Sequence, residues 1–273
     1  MGRSGAPVAA AAAADATARA LPAGSEYAAP HGWRAIDFIS DLHLSEDLPR
    51  TVAAWAAHLQ HTPADAVFIL GDLFELWVGD DARALPFERR CVDILAGAAR
   101  HRTLAFMAGN RDFLLGAAML REGGMTGLTD PTLLDAWGRR VLLAHGDAWC
   151  LDDAPYQAFR AEVRSAAWQQ RFLGRPLAER QAVAAEIRSA SAERRRFDGD
   201  NLVDVDAAEA VRWMQAAGAA ELVHGHTHRP GSSALAPGFV RHVLSDWDLD
   251  GGDRAEVLRL TRDGFERVAP SSR

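Results

Sequence analysis

The sequence contains no lysine, because all 30 basic residues among its 273 are arginine. This absence excludes catalysis through a lysine Schiff base, and it excludes a nucleotide-binding P-loop, in which a lysine contacts the phosphates. Acidic residues outnumber basic ones, and the formal net charge is −7. A negative chain is repelled by phosphate backbones, so non-specific binding of nucleic acid is disfavoured.

Cysteine and long apolar runs are also scarce. The two cysteines, Cys91 and Cys150, are too few and too far apart for a disulfide framework or a zinc knuckle, so a reducing cytosol is expected. The sequence shows no run approaching the roughly 20 apolar residues that cross a bilayer. With 48% hydrophobic residues, the chain can bury one large core and still carry an insertion.

The first part of the sequence differs from the rest. Residues 1–33 are rich in alanine, proline and glycine and contain few residues that a core would bury. We expect this segment to be a disordered extension, and residues 34–273 to form one domain.

Apolar runs of strand length alternate with helical patterns after residue 34. Strands are predicted at 35–40, 66–70, 103–108, 141–144 and 222–223, and helices at 48–60, 86–100 and 113–121. This alternation predicts an α/β fold with parallel strands. The alternation of strands and helices stops at residues 155–215, where helical patterns are continuous. This predicts a helical insertion at about 154–203. Three further strands are predicted at 240–244, 255–260 and 265–268.

Polar side chains follow each of the first five predicted strands. In an open α/β sheet, ligands bind beyond the carboxyl ends of the strands. Seven side chains there are candidate metal ligands. Seven ligands are more than one tetrahedral zinc can bind, and they suit two metals that share a carboxylate. Mixed oxygen and imidazole donors favour manganese or iron, with zinc not excluded. The seven are Asp41, His43, Asp72, Asn110, His145, His226 and His228.

Each of these residues also has a simpler explanation. Asp72 and Asp112 suit helix caps, Asn110 suits a turn, and His145 suits a hydrogen-bonded core histidine. These explanations would all have to hold at five successive strand ends. We therefore favour the metal site.

As a set, the motifs resemble the calcineurin-like metallophosphoesterase superfamily. The resemblance implies a four-layer αββα sandwich that binds two metals, with manganese expected and Fe, Mg or Zn less favoured. It implies that Asp72 bridges the metals. One metal would be held by Asp41, His43, Asp72 and His228, and the other by Asp72, Asn110, His145 and His226.

Four longer stretches, at residues 71–80, 109–116, 145–160 and 225–230, resemble one branch of this superfamily. That branch hydrolyses the pyrophosphate of a lipid-linked UDP-sugar in lipid A biosynthesis, by attack of water on the α-phosphate. The resemblance implies catalytic roles for Asn110, Arg111 and His226. It implies substrate contacts by Asn110, Arg111, Asp153, Ser191 and His226. The sequence departs from the branch at Arg195 and Asp198, where an asparagine and a lysine are common.

The resemblance also implies a location and partners. The enzyme would be peripheral on the cytoplasmic face of the bacterial inner membrane, with no nucleic acid and no obligate protein partner. Acidic residues of the insertion nearly balance its arginines, so a solvated helix face and contact with anionic lipid are equally compatible with the sequence. The candidates for lipid contact are Arg160, Arg164, Arg171, Arg175 and Arg188.

Two other functions are compatible with the fold: another metallophosphoesterase, such as a nuclease or phosphodiesterase, and a non-catalytic scaffold. The apolar insertion argues against a nuclease, and the complete ligand set argues against a scaffold.

Overall fold

The computed structural model describes residues 20–198 and 203–272, and the side chains at 188 and 190–198 lie outside this description. The described part contains twelve strands and seven α-helices. The strands are β1 (Glu26–Ala28), β2 (Ala35–Ile39), β3 (Ala66–Leu70), β4 (Thr103–Met107), β5 (Met125–Leu128), β6 (Thr132–Ala136), β7 (Arg139–Ala144), β8 (Glu221–His224), β9 (Gly231–Ala236), β10 (Phe239–Val243), β11 (Val257–Thr261) and β12 (Gly264–Val268). The helices are α1 (Pro49–His61), α2 (Pro86–Ala99), α3 (Ala117–Gly123), α4 (Ala154–Val163), α5 (Ala166–Leu173), α6 (Leu177–Asp198) and α7 (Ala207–Ala217).

The strands form two mixed sheets of six. Sheet I has the order β1-β6-β7-β8-β10-β9, and sheet II has the order β12-β11-β2-β3-β4-β5. The predicted parallel pairing is confirmed for β2, β3 and β4 and for β7 with β8. Consequently the carboxyl ends of β2, β3 and β4 lie at one edge of sheet II, and those of β7 and β8 lie at one edge of sheet I, where parallel strands present their ligands.

Three apolar clusters stack the sheets and helices into four layers. Phe38 and Phe68 of sheet II pack with Leu143 and Val223 of sheet I between the sheets. The other face of sheet II packs on α1, α2 and α3, and the other face of sheet I packs on α7. This arrangement confirms the predicted αββα sandwich.

The prediction that residues 1–33 are disordered is wrong for the described residues from 20 onward. Strand β1 pairs in parallel with β6, and its flanks are hydrogen-bonded, with Ser25 O accepting from Leu133 N at 2.7 Å. The Tyr27 ring meets the Phe68 ring edge-on, with 5.1 Å between centroids, and Trp33 packs beside it. These two aromatic residues bury enough apolar surface to order the segment. Residues 1–19 lie outside the described residues.

The predicted insertion contains the three helices α4, α5 and α6, which pack against the core. Arg180 on α6 is buried, and its guanidinium donates to the Val78 carbonyl and to Asp81. Gly79 lies between these two residues with a φ of 127°, and a Cβ there would lie 2.5 Å from Arg180 Nη1. A glycine is therefore required for the helix to dock this closely.

One predicted boundary differs from the structure near the site. The helix predicted at 113–121 begins only at Ala117, because Asp80 Oδ2 accepts from the backbone N–H groups of Ala118 and Met119 and so caps α3 from a distant loop. Strands β5, β6 and β9 were not predicted.

Candidate metal centre

The loops after β2 and β3 continue to pair beyond the strand ends. Asp41 N donates to Gly71 O at 3.1 Å, and His43 N donates to Asp72 O at 3.0 Å. The pairing is irregular because Asp41, His43 and Asp72 have positive φ values of 52°, 48° and 53°. Positive φ is uncommon for residues with a side chain and is found where surrounding structure enforces it. Here it turns alternate side chains of both loops toward one edge.

One group of side chains meets at this edge around His43 and His228. Their Nε2 atoms lie 3.4 Å apart, and His228 Nε2 lies 3.3 Å from Asp41 Oδ1. His43 Nε2 also lies 4.0 Å from Asp72 Oδ2. Asp41, His43 and His228 thus place one donor atom each within reach of a single cation.

A second group lies beside the first. His145 Nε2 is 3.7 Å from Asp72 Oδ1 and 3.0 Å from Asn110 Oδ1, and His226 Nδ1 is 2.9 Å from the same Asn110 oxygen. Asp41, Asp72 and His145 also form a three-donor cluster. The two oxygens of Asp72 therefore face one histidine of each group, as expected for a bridging carboxylate. Asp41 belongs to both three-donor clusters.

The donor set fits two divalent cations. All seven predicted ligands lie together, and they offer carboxylate, amide and imidazole atoms. Asp41 Oδ1 is buried and has no hydrogen-bond partner among the described residues, although an unpaired buried carboxylate oxygen is costly. A cation at this position would satisfy it. Mixed O and N donors suit first-row divalent metals.

The electrostatics of the site also favour bound cations. Burial alone would lower the pKa of His145, but the carboxylates of Asp72, Asp147 and Asp41 outweigh it and raise the pKa to about 9. Burial and the neighbouring His145 lower the pKa of His226 to about 4. The carboxylates thus attract positive charge into the edge, as a cation site requires.

Asp112 does not cap a helix. It is buried and accepts backbone N–H groups from Leu73 at 2.7 Å and from Gly109 at 2.8 Å. Burial and the adjacent Asp72 charge raise its pKa to about 7. A Cβ at Gly109 would lie 2.1 Å from Asp72 Oδ1, so the two loops approach this closely only with glycine. Asp112 therefore holds the loops that present Asp72 and Asn110.

Arg111 lies next to this centre. Its backbone N–H donates to Asp72 Oδ1 at 2.8 Å, and its side chain is 12% exposed. The guanidinium Nη1 lies 3.7 Å from Glu75 Oε1, whereas Nε is buried without a hydrogen-bond partner in the described structure. A buried cation with an unsatisfied donor is suited to an anionic ligand.

Two of the predicted substrate contacts are less well defined. Asp153 Oδ1 caps α4 by accepting from Tyr156 N at 3.1 Å, and a substrate contact by this residue stays a prediction. Ser191 lies on α6, but its side chain is outside the described residues, as are those of Arg195 and Asp198.

The sequence contains a second buried carboxylate whose role was not predicted. Asp147 Oδ2 accepts from Tyr156 Oη at 2.5 Å and from Arg160 Nε at 2.8 Å, which ties α4 to the loop after β7. Arg164 Nη2 donates to Gly109 O at 2.9 Å. The guanidinium groups of Arg160 and Arg164 are thus bound to the core, and contact of these residues with lipid stays a prediction. An aspartate two residues after a metal-binding histidine was the available signal.

The comparisons agree with this geometry. The calcineurin-like phosphoesterase model matches residues 35–230, and the chain belongs to that family. Among solved structures, an archaeal phosphodiesterase superposes on 86% of this chain and 99% of its own with 8% identity and a TM-score of 0.44, which is too distant for any further argument.

Within the family, the chain is similar to curated bacterial relatives. A UDP-2,3-diacylglucosamine hydrolase of Chromobacterium violaceum is 45% identical over 86% of this chain and 98% of its own length. A protein of the same name from Xanthomonas oryzae pv. oryzae is 42% identical, covering 83% of this chain and 95% of its own.

Proposed function

We propose that this chain hydrolyses the pyrophosphate bond of UDP-2,3-diacylglucosamine to UMP and 2,3-diacylglucosamine 1-phosphate in lipid A biosynthesis. The observation that carries the proposal is the convergence of seven metal-ligand side chains at one sheet edge. The named relatives, which match nearly their whole length, support the choice of substrate. A scaffold would have no need for a buried carboxylate oxygen that accepts no hydrogen bond among the described residues.

The site combines residues that hold cations with residues that hold substrate. When bound, the cations supply Lewis-acid polarisation of phosphoryl oxygens and an activated water. Arg111 donates to the non-bridging oxygens of the α-phosphate and stabilises the negative charge that develops there. Burial and the neighbouring His145 lower the pKa of His226, which favours the neutral imidazole that a metal ligand requires.

We propose manganese as the metal, since the centre combines four imidazoles with carboxylate and amide oxygens. An all-oxygen set would favour magnesium, and an all-sulfur or imidazole set would favour zinc.

We also propose that the insertion covers the acyl chains and that the protein acts peripherally at the cytoplasmic face of the inner membrane. Within residues 20–198 and 203–272, no helix is both long and apolar enough to cross a bilayer. Four large apolar side chains of the described structure are more than a third exposed, and all lie in or next to the insertion: Leu151, Phe159, Leu173 and Ile187. Exposed apolar residues gathered in one region are typical of a lipid-binding surface.

A substrate panel tests the proposal. Purified protein with Mn²⁺ is incubated in H₂¹⁸O with UDP-2,3-diacylglucosamine, a UDP-sugar without acyl chains, bis-p-nitrophenyl phosphate and single-stranded DNA. We expect turnover of the lipid-linked substrate alone to be efficient, with ¹⁸O recovered in UMP. Preferred cleavage of the diester or of DNA would contradict the substrate assignment, and ¹⁸O in the sugar phosphate would contradict attack on the α-phosphate.

Two variants test the metal assignment within the same panel. Asp72→Ala removes the carboxylate that faces both histidine groups, so activity and bound metal measured by plasma emission should both be lost. Asp93→Asn removes an exposed carboxylate of α2, 64% exposed at the side chain, and should match the wild type. Full activity of Asp72→Ala would refute a two-metal centre.

A further inference from the structure

We infer that Arg164 is a positioning residue that couples the helical insertion to the metal centre, so that a bound cation and the docked insertion stabilise each other. The coupling acts through the loops that carry Asn110 and His145. It concerns cation binding and the docking of helices, and it does not depend on which substrate the enzyme hydrolyses.

Arg164 lies at the junction of two helices of the insertion. It follows the last residue of α4, and its backbone N–H donates to Arg160 O at 3.0 Å. Ser165 comes directly after it and caps α5, because its hydroxyl oxygen accepts from Trp168 N at 3.3 Å. The Arg164 side chain is 24% exposed. A contact made by this one side chain therefore restrains α4 and α5 together.

The guanidinium of Arg164 contacts two loops of the metal centre. Its Nη2 donates to Gly109 O at 2.9 Å, and the same nitrogen lies 3.8 Å from Asp147 Oδ2. Gly109 directly precedes the candidate ligand Asn110. Asp147 follows the candidate ligand His145 by two residues. Asn110 Oδ1 and His145 Nε2 are 3.0 Å apart, so both contacts of the guanidinium lie next to ligands of the same group.

Gly109 connects Arg164 to this group of ligands. Its N–H donates to Asp112 Oδ1 at 2.8 Å and its carbonyl accepts from Arg164, so side chains hold both polar groups of its backbone. A Cβ at Gly109 would lie 2.5 Å from Asp72 N, which shows how closely the two loops pack. The peptide unit between Gly109 and Asn110 contains the carbonyl that Arg164 binds. Restraint of the Asn110 side chain by a cation therefore also orders the acceptor of Arg164.

Aromatic rings extend the contact into α5. The Cζ atom of Arg164 lies over the Phe113 ring, 5.1 Å from its centroid, and a cation over an aromatic face is attracted to it. The Trp168 ring of α5 lies 6.2 Å from the Phe113 ring, and Phe172 stacks on Trp168 with 4.6 Å between centroids. The loop after β4 is thus held against α5 as well as against the end of α4.

The start of α4 is attached to the core independently of this loop. Tyr156 Oη and Arg160 Nε both donate to Asp147 Oδ2, at 2.5 Å and 2.8 Å. Asp147 lies in the loop after β7, and these two bonds do not involve Gly109. Substitution of Arg164 should therefore leave α4 attached through Asp147 and remove the link to the loop that carries Asn110.

Three variants test the coupling. Arg164→Met keeps an unbranched side chain that can cover Phe113 but loses the charge and the donors. Arg164→Lys keeps one cationic donor that can reach Gly109 O but loses the planar guanidinium. Arg121→Met is the matched control, because it makes the same substitution at an exposed arginine in the last turn of α3, outside the insertion.

Hydrogen exchange of the α4 and α5 amides, measured in the metal-free and the Mn²⁺-saturated protein, reports how strongly the insertion is docked. Coupling between two sites typically amounts to about 5- to 150-fold. We therefore expect Mn²⁺ to slow exchange of these amides at least about fivefold in the wild type and in Arg121→Met. In Arg164→Met the slowing should be less than about twofold, and Arg164→Lys should give an intermediate value.

The ratio of the two exchange rates distinguishes coupling from a merely structural role. If Arg164 only stabilised the insertion, Arg164→Met would exchange faster with and without Mn²⁺, and the ratio would equal that of the wild type. An equal ratio would therefore overturn the inference, as would the absence of slowing in the wild type. Arg164→Lys supplies the comparison if Arg164→Met does not fold, and a wild-type ratio in that variant would then overturn the inference.

Metal affinity gives an independent measurement, because coupling between two sites is reciprocal. Calorimetric titration of the metal-free protein with Mn²⁺ should show at least one ion bound about fivefold or more weakly by Arg164→Met, whereas Arg121→Met should match the wild type. Equal Mn²⁺ affinities of Arg164→Met and Arg121→Met would overturn the inference. Neither measurement uses a substrate. If the protein turns over none of the panel substrates, the proposed function fails, while exchange and affinity still decide the role of Arg164.

Discussion

Replacement of Arg111 by alanine separates a catalytic role from a structural one. The guanidinium makes one ion pair, at 3.7 Å with Glu75, and its buried Nε has no partner in the described part of the chain. An ion pair as long as this one, between side chains that are mostly buried, contributes about 1 kcal/mol to folding, which corresponds to roughly 2–4 °C in melting temperature for a chain of this size. A donor directed at developing charge contributes more, about 2–3 kcal/mol, or about 30- to 150-fold in rate.

We therefore expect Arg111→Ala to lose about 30- to 150-fold in kcat while its melting temperature changes little and its Mn²⁺ content is retained. Arg111→Lys should recover only part of the rate, because an ammonium keeps the charge but loses the planar pair of donors. Steady-state kinetics, calorimetric melting and metal analysis on the same samples give all three quantities. A variant that melts far earlier yet turns over normally would show that Arg111 stabilises the fold and is not catalytic.

Two further predictions concern parts of the chain remote from the site. Deletion of residues 1–33 should lower the melting temperature by about 5–10 °C, because β1 and its aromatic residues are lost. Deletion of residues 1–19 is the control. Equal melting temperatures of the two variants would show that β1 contributes nothing to stability. Asp37→Asn should destabilise the fold by about 3–5 kcal/mol without altering kcat of the folded protein, because Arg259 and His58 lose their buried partner. Burial raises the pKa of Asp37, but hydrogen bonds from His58 and Arg259 outweigh it and lower the pKa, so the wild type should lose this contribution as pH falls below about 4 while the variant should not. A difference in stability between the wild type and Asp37→Asn that persists unchanged to pH 2 would contradict this role of the Asp37 carboxylate.

The central strands could be predicted from the sequence because they are buried on both faces. Residues 66–70 form an uninterrupted apolar run, and the structure places β3 at Ala66–Leu70. Strands at the sheet margins lack this signal. Gly231–Ala236, an edge strand of sheet I, consists of small residues apart from Leu235, and all are partly or fully exposed, so its pairing with β10 depends on the neighbouring strand rather than on its own composition.

The candidate ligands could be predicted because metal-binding residue types recur at five successive strand ends, where the simpler explanations would all have to hold together. The residues that position these ligands could not be predicted from the sequence. Asp112 acts through contacts with a loop 39 residues away and Asp147 through contacts with another helix, and in the sequence each looks like a helix cap or a solvated charge. Arg180 looks like a surface residue of a polar helix, and only the docked insertion shows that it is buried. Long-range pairing of this kind has no local pattern.

The positive φ angles at the centre have a consequence for evolution and engineering. Five of the seven candidate ligands adopt them, at values from 48° to 67°: Asp41, His43, Asp72, His226 and His228. Each costs on the order of 1–2 kcal/mol relative to ordinary backbone, so together they approach the whole net stability of a typical domain. The two sheets must offset this cost. Screens that select only for thermal stability would therefore favour replacement of the ligands themselves, especially by glycine, and such screens need a parallel selection for metal binding.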